Sequence, residues 1–207
     1  MPVDYMLGLL AFVIATAGTP GPNTMMLLAS GVNYGVRPTL PHIFGISGGI
    51  VGLILAVGLG LGAALMAEPR VALALKIAGI SYMLWLAWRI ATTGPVKAAE
   101  GGGRPLSFLE GALFQFVNPK AWAMAISGVA TFTTPDDFFR QLSAMLALFA
   151  LLNVPIALAW TGLGGSLATW LGNPRRARMF NLAMAALLVA SLAPAAADIY
   201  EALTPRR

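Results

Sequence analysis

Two long apolar stretches of this chain are each interrupted near their middle by residues that cannot continue a helix. The first interruption is Thr19-Pro20-Gly21-Pro22-Asn23, and the second, about a hundred positions later, is Asn118-Pro119-Lys120. In water such breaks are ordinary loops. In hydrocarbon the freed backbone N–H and C=O groups have no solvent to turn to, so a broken helix persists only where it lines a polar cavity or is buried in protein. Breaks at corresponding places in the two halves of a membrane chain point to a transporter binding site.

The bilayer reading rests on composition. With 58% hydrophobic and 10% charged residues among 207, and a mean hydropathy of +0.78, the chain has too little polar surface to cover a water-soluble domain. A crossing takes about 20 apolar residues at ~1.5 Å each. Six stretches qualify: Tyr5 to Gly31, Leu40 to Ala67, Val71 to Ala91, Leu106 to Phe132, Gln141 to Leu171 and Met179 to Ala197. Several exceed one straight crossing, and tilt, a kink or an interrupted helix absorbs the excess. Met1-Pro2-Val3-Asp4 has an acid where a signal peptide carries positive charge, so the first helix is expected to be retained.

The chain has no cysteine, which removes disulfides, thiolate metal sites and thiol relays. No metal or cofactor is expected. A net charge of +5 raises nucleic acid as a partner, but the basic residues are scattered at segment ends rather than gathered on one patch, which argues against it. They read as topology signals. Seven (Arg37, Arg89, Lys97, Arg104, Arg175, Arg176, Arg178) fall on one side of the expected spans and five (Arg70, Lys76, Arg140, Arg206, Arg207) on the other. The positive-inside rule then places both termini outside the cytoplasm.

Residues 94–105, rich in glycine and proline, read as a cytoplasmic linker between a first three-helix repeat, 1–93, and a second, 106–207. Pro22 and Pro119 break the first helix of each half, and Glu68-Pro69-Arg70 and Asn173-Pro174-Arg175 open the third. Glycines cluster before that third helix at Gly58, Gly60 and Gly62 and again at Gly162, Gly164 and Gly165. An odd number of spans per half inverts one repeat relative to the other, the plan of many secondary transporters. The expected fold is therefore an all-α membrane protein of six transmembrane helices, built as two inverted three-helix repeats with the first helix of each broken.

Pro20 and Pro22 lack N–H groups and Gly21 adds backbone freedom, so the helix stops there. A second half-helix can start at Asn23 or Thr24, both good N-cap types, and its free N–H groups form a seat for a carboxylate. A packing kink is the competing reading. Lys120 falls near the middle of the fourth span, where inserting a lysine costs about 2.5 to 3.5 kcal/mol, and such residues mark functional sites by default. Gln115 and Asn118 add donors and acceptors beside it. A charged Lys120 can hold the carboxylate of a zwitterion, or release its proton and couple transport to a proton gradient. If the span is shifted, the ammonium simply snorkels to the headgroups. The candidate substrate site is thus Pro20, Gly21, Pro22, Asn23, Thr24, Gln115, Asn118, Pro119 and Lys120.

Other polar residues give weaker signals. His42, the single histidine, is a second candidate for proton coupling, against an interfacial hydrogen-bonded role at a helix end. Asn153 and Pro155 can break or kink the fifth span, and Glu110 reads as a solvated flank. Gly45, Gly48, Gly49 and Gly52 give small-xxx-small spacings for close helix packing. Trp85, Trp88, Trp122, Trp160 and Trp170 serve equally as interfacial anchors or cavity walls.

The series Thr19-Pro20-Gly21-Pro22-Asn23, Gly31-x-x-x-Gly35 with Arg37, Gly45-x-x-Gly48, Ala78 to Leu86 and Phe116-Val117-Asn118-Pro119-Lys120 resembles the LysE/RhtB family of amino-acid exporters from the first span to the last. The runs Leu84 to Thr92, Leu106-Ser107-Phe108 and Phe114 to Asn118 are especially similar to its cysteine and O-acetylserine branch. The resemblance implies a bacterial inner-membrane protein that expels small amino acids or their derivatives, driven by the proton-motive force. Lysine and arginine exporters of the family tend to carry an acid in the second span, where this chain reads Ile46-Ser47-Gly48-Gly49-Ile50. Without it a cationic side chain lacks its partner, so a neutral substrate is expected.

An intramembrane enzyme would need a nucleophile with its base, an acid pair or a metal cluster, and no span offers one. A channel or a non-transporting assembly partner remains the alternative class. The oligomeric state is open, a homo-oligomer included.

Overall fold

A computed structural model describes residues 1–92 and 104–204. Most of the expected linker, 94–105, lies outside the described residues. Helices α1 (Val3–Gly18), α2 (Pro22–Tyr34), α3 (Val36–Gly58), α4 (Leu61–Ala67) and α5 (Pro69–Thr92) form the first half. In the second half, α6 (Phe108–Gln115) and α7 (Pro119–Phe132) are followed by a short 3₁₀ turn (Pro135–Asp137) and by α8 (Phe138–Trp170), α9 (Pro174–Ala190) and α10 (Ala193–Leu203). The described residues contain no strand.

Both expected breaks are present, and their local causes differ. Pro22 excludes helical geometry at Gly21, which is fully extended, and α1 and α2 meet at a bend of 56°. In the second half, Pro119 holds Asn118 extended, at φ −87° and ψ 110°, so α6, which ends at Gln115, does not run on into α7, which begins at Pro119. Asn118 then caps α7, its Oδ1 accepting from the Lys120 N–H at 3.1 Å. Asn173-Pro174-Arg175 repeats the device at the start of α9, with Asn173 Oδ1 accepting from Arg175 N–H at 2.9 Å. The first break departs from expectation in one detail. The new helix starts at Pro22 rather than at Asn23 or Thr24, and Thr24 supports the turn from inside, its Oγ1 accepting from the Gly21 N–H at 2.7 Å.

Pro155 does not break the fifth stretch. A lone proline removes one hydrogen bond, which a long apolar helix tolerates, and α8 runs unbroken through Asn153 and Pro155. Three helices, α3, α5 and α8, are each long and apolar enough to cross a membrane, and the bent pair α1 and α2 supplies a fourth crossing if counted as one span. The fourth expected span is divided at its expected break, and the sixth, expected whole, is divided as well. The former is split between α6 and α7, and the latter between α9 and α10, which meet at Ser191 and Leu192.

Helix α2 occupies the centre. Met26 through Asn33 are buried without interruption, and residues of this one helix enter all four apolar clusters: Leu27 with α1, α3, α7 and α8; Met26 with α5, α6 and α9; Leu28 and Ala29 with Met184; Val32 with Ala177. A helix buried on every side must resolve its polar groups internally. Small residues permit the close approach this requires. A Cβ on Gly31 would overlap the backbone carbonyl of Thr161 on α8, and one on Gly164 would overlap that of Leu28. The expected small-residue face of α3 meets α6 in the same way, Gly45 against Phe108 and Gly49 against Ala112. Only Gly35 separates α2 from α3, and its φ of 80° is the left-handed region that glycine enters without strain.

Candidate functional site

The two breaks meet. The Lys120 ammonium, in the first turn of α7, donates to the Thr19 carbonyl at 2.7 Å, to Thr19 Oγ1 at 2.9 Å and to the Pro20 carbonyl at 3.4 Å. The two carbonyls belong to the non-helical stretch between α1 and α2, and the hydroxyl to the residue that caps α1. Gly21 gives the lysine stem its passage, since a Cβ there would stand 2.8 Å from Lys120 Cδ. The N-termini of α2 and α7 flank the ammonium, so two helix ends and one side chain concentrate positive potential in one place.

One helical turn away the halves are joined again. Asn23 Nδ2 donates to Gln115 Oε1 at 2.9 Å and Gln115 Nε2 returns a bond to Asn23 Oδ1 at 3.1 Å, with a second bond to the Gly111 carbonyl at 3.0 Å. Gln115 is fully buried, so its amide depends on these partners.

Between the breaks lies a cleft of about 470 Å³, partly open to the outside. Asn23, Thr24, Asn118 and Lys120 supply its polar wall, and Ile46, Ile50 and Trp160 much of its apolar wall. As it stands, its clear centre has room for a water or two. Asn153 of α8, 5% exposed, also faces the cleft, and its Nδ2 has no hydrogen-bond partner among the described residues. Trp160 and Asn153 come to the site from α8, which stays unbroken through Pro155; a polar residue in an otherwise apolar run was the available signal. Of the expected site, Gly21, Asn23, Thr24, Asn118 and Lys120 line the cleft, while Pro20, Pro22, Gln115 and Pro119 shape it from behind. Phe116, Val117 and Pro119 back onto a wider apolar groove between α5 and α7, of about 980 Å³.

His42 is not in the cleft. It lies inside α3, 1% exposed, on a different cavity of about 400 Å³ beside Arg89 and Arg104. Both ring nitrogens lack partners among the described residues, so the interfacial, hydrogen-bonded role does not hold. Glu110 is likewise more than a solvated flank. It closes a capping box with Ser107 at the start of α6 and takes two bonds from the Arg104 guanidinium, at 2.6 and 2.9 Å, which holds Arg104 above its ordinary pKa. The tryptophans divide: Trp160 is a cavity wall, and Trp85, Trp88 and Trp170 are exposed, with Arg89 stacked on Trp85 and Arg176 on Trp170.

Apolar helices around an internal polar cleft, with two interrupted helices meeting at a lysine, is transporter architecture. The model of the LysE-type translocators matches residues 14–196. This chain belongs to the LysE family. Cysteine/O-acetylserine efflux proteins from Escherichia coli strain K12 and from Shigella flexneri are each 31% identical to it over 186 residues, covering 86% of this chain and 90% of the relative. No solved structure matches the chain. A LysE-family member is a membrane translocator rather than an enzyme, as the sequence predicts.

Proposed function

We propose that this LysE-family chain exports small neutral amino acids or close derivatives, of the cysteine and O-acetylserine kind, across the bacterial inner membrane. The observation that carries the reading is the Lys120 ammonium seated on Thr19 and Pro20 oxygens at the α1 break. Those three oxygens form an ammonium site. A zwitterion can exchange with Lys120 there: its own ammonium takes the Thr19 and Pro20 oxygens, and the displaced Lys120, with the N-termini of α2 and α7, takes its carboxylate. Release of Lys120 from Thr19 also separates the two breaks and opens the narrow cleft. No carboxylate lines the cleft among the described residues, and Ile46 and Ile50 face it from α3. That wall suits a neutral side chain.

The site comprises Pro20, Gly21, Pro22, Asn23, Thr24, Gln115, Asn118, Pro119 and Lys120, with Asn153 and Trp160 added from α8. Two inverted units, 1–93 and 106–207 joined through 94–105, rock about this site in alternating access, with both termini periplasmic. Protons drive export through loss of the Lys120 proton in the return step, and His42 is the second candidate for that coupling. Support comes from the meeting of one break from each half, where Lys120 reaches the Thr19 and Pro20 oxygens.

Counterflow of labelled O-acetylserine or cysteine in proteoliposomes is the deciding test. Exchange across the membrane that depends on Lys120, and accumulation that follows an imposed pH gradient, are expected. A leak without exchange would make the protein a channel, and the absence of both would leave it without transport activity.

A further inference from the structure

The cavity that holds His42 lies toward the far end of α2 from the Lys120 cleft. Asn23 and Asn33 mark the two ends, about 15 Å apart along the helix. The second cavity is walled by Ser30, Asn33 and Tyr34 of α2, His42 of α3, Arg89 of α5 and Arg104. Most of its polar wall is engaged. Ser30 shares a hydrogen bond of 2.8 Å with Thr39, and Asn33 and Asn181 exchange amide bonds of 3.0 and 3.2 Å. His42 is the exception, an imidazole 1% exposed with neither nitrogen partnered among the described residues. A buried ring with two open nitrogens is rare and calls for a ligand or water. Two guanidinium groups stand on the same wall, and no carboxylate lines it among the described residues; Glu110 pairs with both, at 2.6 and 2.9 Å from Arg104 and at 3.9 Å from Arg89. Arg37, Arg89 and Arg104 place this end of α2 on the side richer in basic residues, read above as cytoplasmic.

We propose that this cavity is a second anion site, in which His42 and the neighbouring arginines take the carboxylate of a substrate at the cytoplasmic mouth before it passes along α2 to the Lys120 cleft. The inference rests on the export reading for its substrate, and on the cavity alone for its chemistry. His42 donates an imidazole N–H to one carboxylate oxygen, and Arg89 and Arg104 supply the countercharge. An exporter collects substrate from the cytoplasm, and a cationic mouth raises its local concentration.

The single histidine makes the test specific. The full chain, with ¹⁵N-labelled histidine and reconstituted in nanodiscs, is titrated with O-acetyl-L-serine and with its methyl ester, as wild type and as Lys120→Met. The imidazole ¹⁵N resonances are expected to shift saturably with the acid in both proteins, and at least about threefold less with the ester. In transport, His42→Phe is expected to raise KM for substrate on the cytoplasmic face about tenfold, and His42→Gln, which keeps a donor and an acceptor, to recover most of the loss. A wild type that exports the probe while its His42 signals stay still would overturn the anion site and leave the export reading standing. So would an equal response to the ester. Loss of the response in Lys120→Met would assign it to the Lys120 cleft and overturn the second site. A saturable response without export would support the site and sink the exporter, and silence in both measurements would overturn both.

Discussion

The Lys120 ammonium stands 2.7 Å from the Thr19 carbonyl, so a side chain from the start of α7 closes the chain break that ends α1. The contact joins the two halves at the point where each has given up its helix. Thr19 and Pro20 are exposed, so their oxygens do not need the lysine for stability, and Lys120→Met should leave thermal stability within about 0.5 kcal/mol. Transport should fall by about a hundredfold, the scale of a lost charge-assisted hydrogen bond to substrate. Thermal melting in detergent checks the first quantity and counterflow at matched protein abundance the second; normal export by Lys120→Met would remove the lysine from the mechanism.

Ile50 faces the cleft from α3 and is 3% exposed. Ile50→Glu places a carboxylate on a wall that has none, which should admit a cationic side chain and take apolar contact from a neutral one. The expected result is exchange of labelled lysine at least about tenfold above wild type, with O-acetylserine exchange reduced. Unchanged lysine exclusion would show that the α3 wall does not contact the substrate side chain.

Asn23 and Gln115 exchange two amide hydrogen bonds, so each single substitution takes partners from the other amide, although Gln115 Nε2 keeps its bond to the Gly111 carbonyl. Asn23→Leu and Gln115→Leu should each cost about 1 to 3 kcal/mol, whereas the double variant should cost less than the sum by about 0.6 to 1.7 kcal/mol. A double-mutant cycle of melting in detergent reads the coupling. Strict additivity would mean that the pair contributes nothing as a pair.

Gly31 and Gly162 make opposite predictions for one substitution. A Cβ at Gly31 meets the Thr161 backbone, which no rotamer can move, and Gly31→Ala should destabilise by about 1 to 3 kcal/mol or abolish folding. Nothing lies within 4 Å of a Cβ at Gly162, so Gly162→Ala should be neutral or stabilise by up to about 1 kcal/mol through helix propensity. Equal effects in the melting assay would contradict the close α2 and α8 contact.

The parts legible in the sequence were those set by local chemistry. Proline dictates the geometry of the residue before it, so the breaks at Gly21 and Asn118 and the starts of α7 and α9 could be read directly. Lys120 stood out because an ammonium in an apolar run has few places to go. What could not be read depends on which helix lies beside which. Asn33 and Asn181 are 148 residues apart and nothing local pairs them. Asn153 was visible as a polar residue, but its unbroken helix and its turn toward the cleft follow from packing against α2. The division of the fourth stretch into eight-residue α6 and fourteen-residue α7 was legible from Asn118-Pro119, whereas the division of the last stretch between α9 and α10 at Ser191 and Leu192 carries no such local signal.

Asn153 Nδ2 faces the cleft as a buried donor without a hydrogen-bond partner among the described residues. A buried donor left open costs about 1 to 3 kcal/mol, and a fold retains such a cost where the group has work to do once a ligand arrives. Replacing it with an apolar side chain of similar size removes the open donor and loses no hydrogen bond of that amide nitrogen. Asn153→Leu should therefore melt at or above the wild-type temperature while its KM for O-acetylserine rises about tenfold, the scale of one hydrogen bond to a charged group. Measured on the same reconstituted protein, the two readouts must move apart. A variant that loses stability and transport together would show that Asn153 holds the helices rather than the substrate.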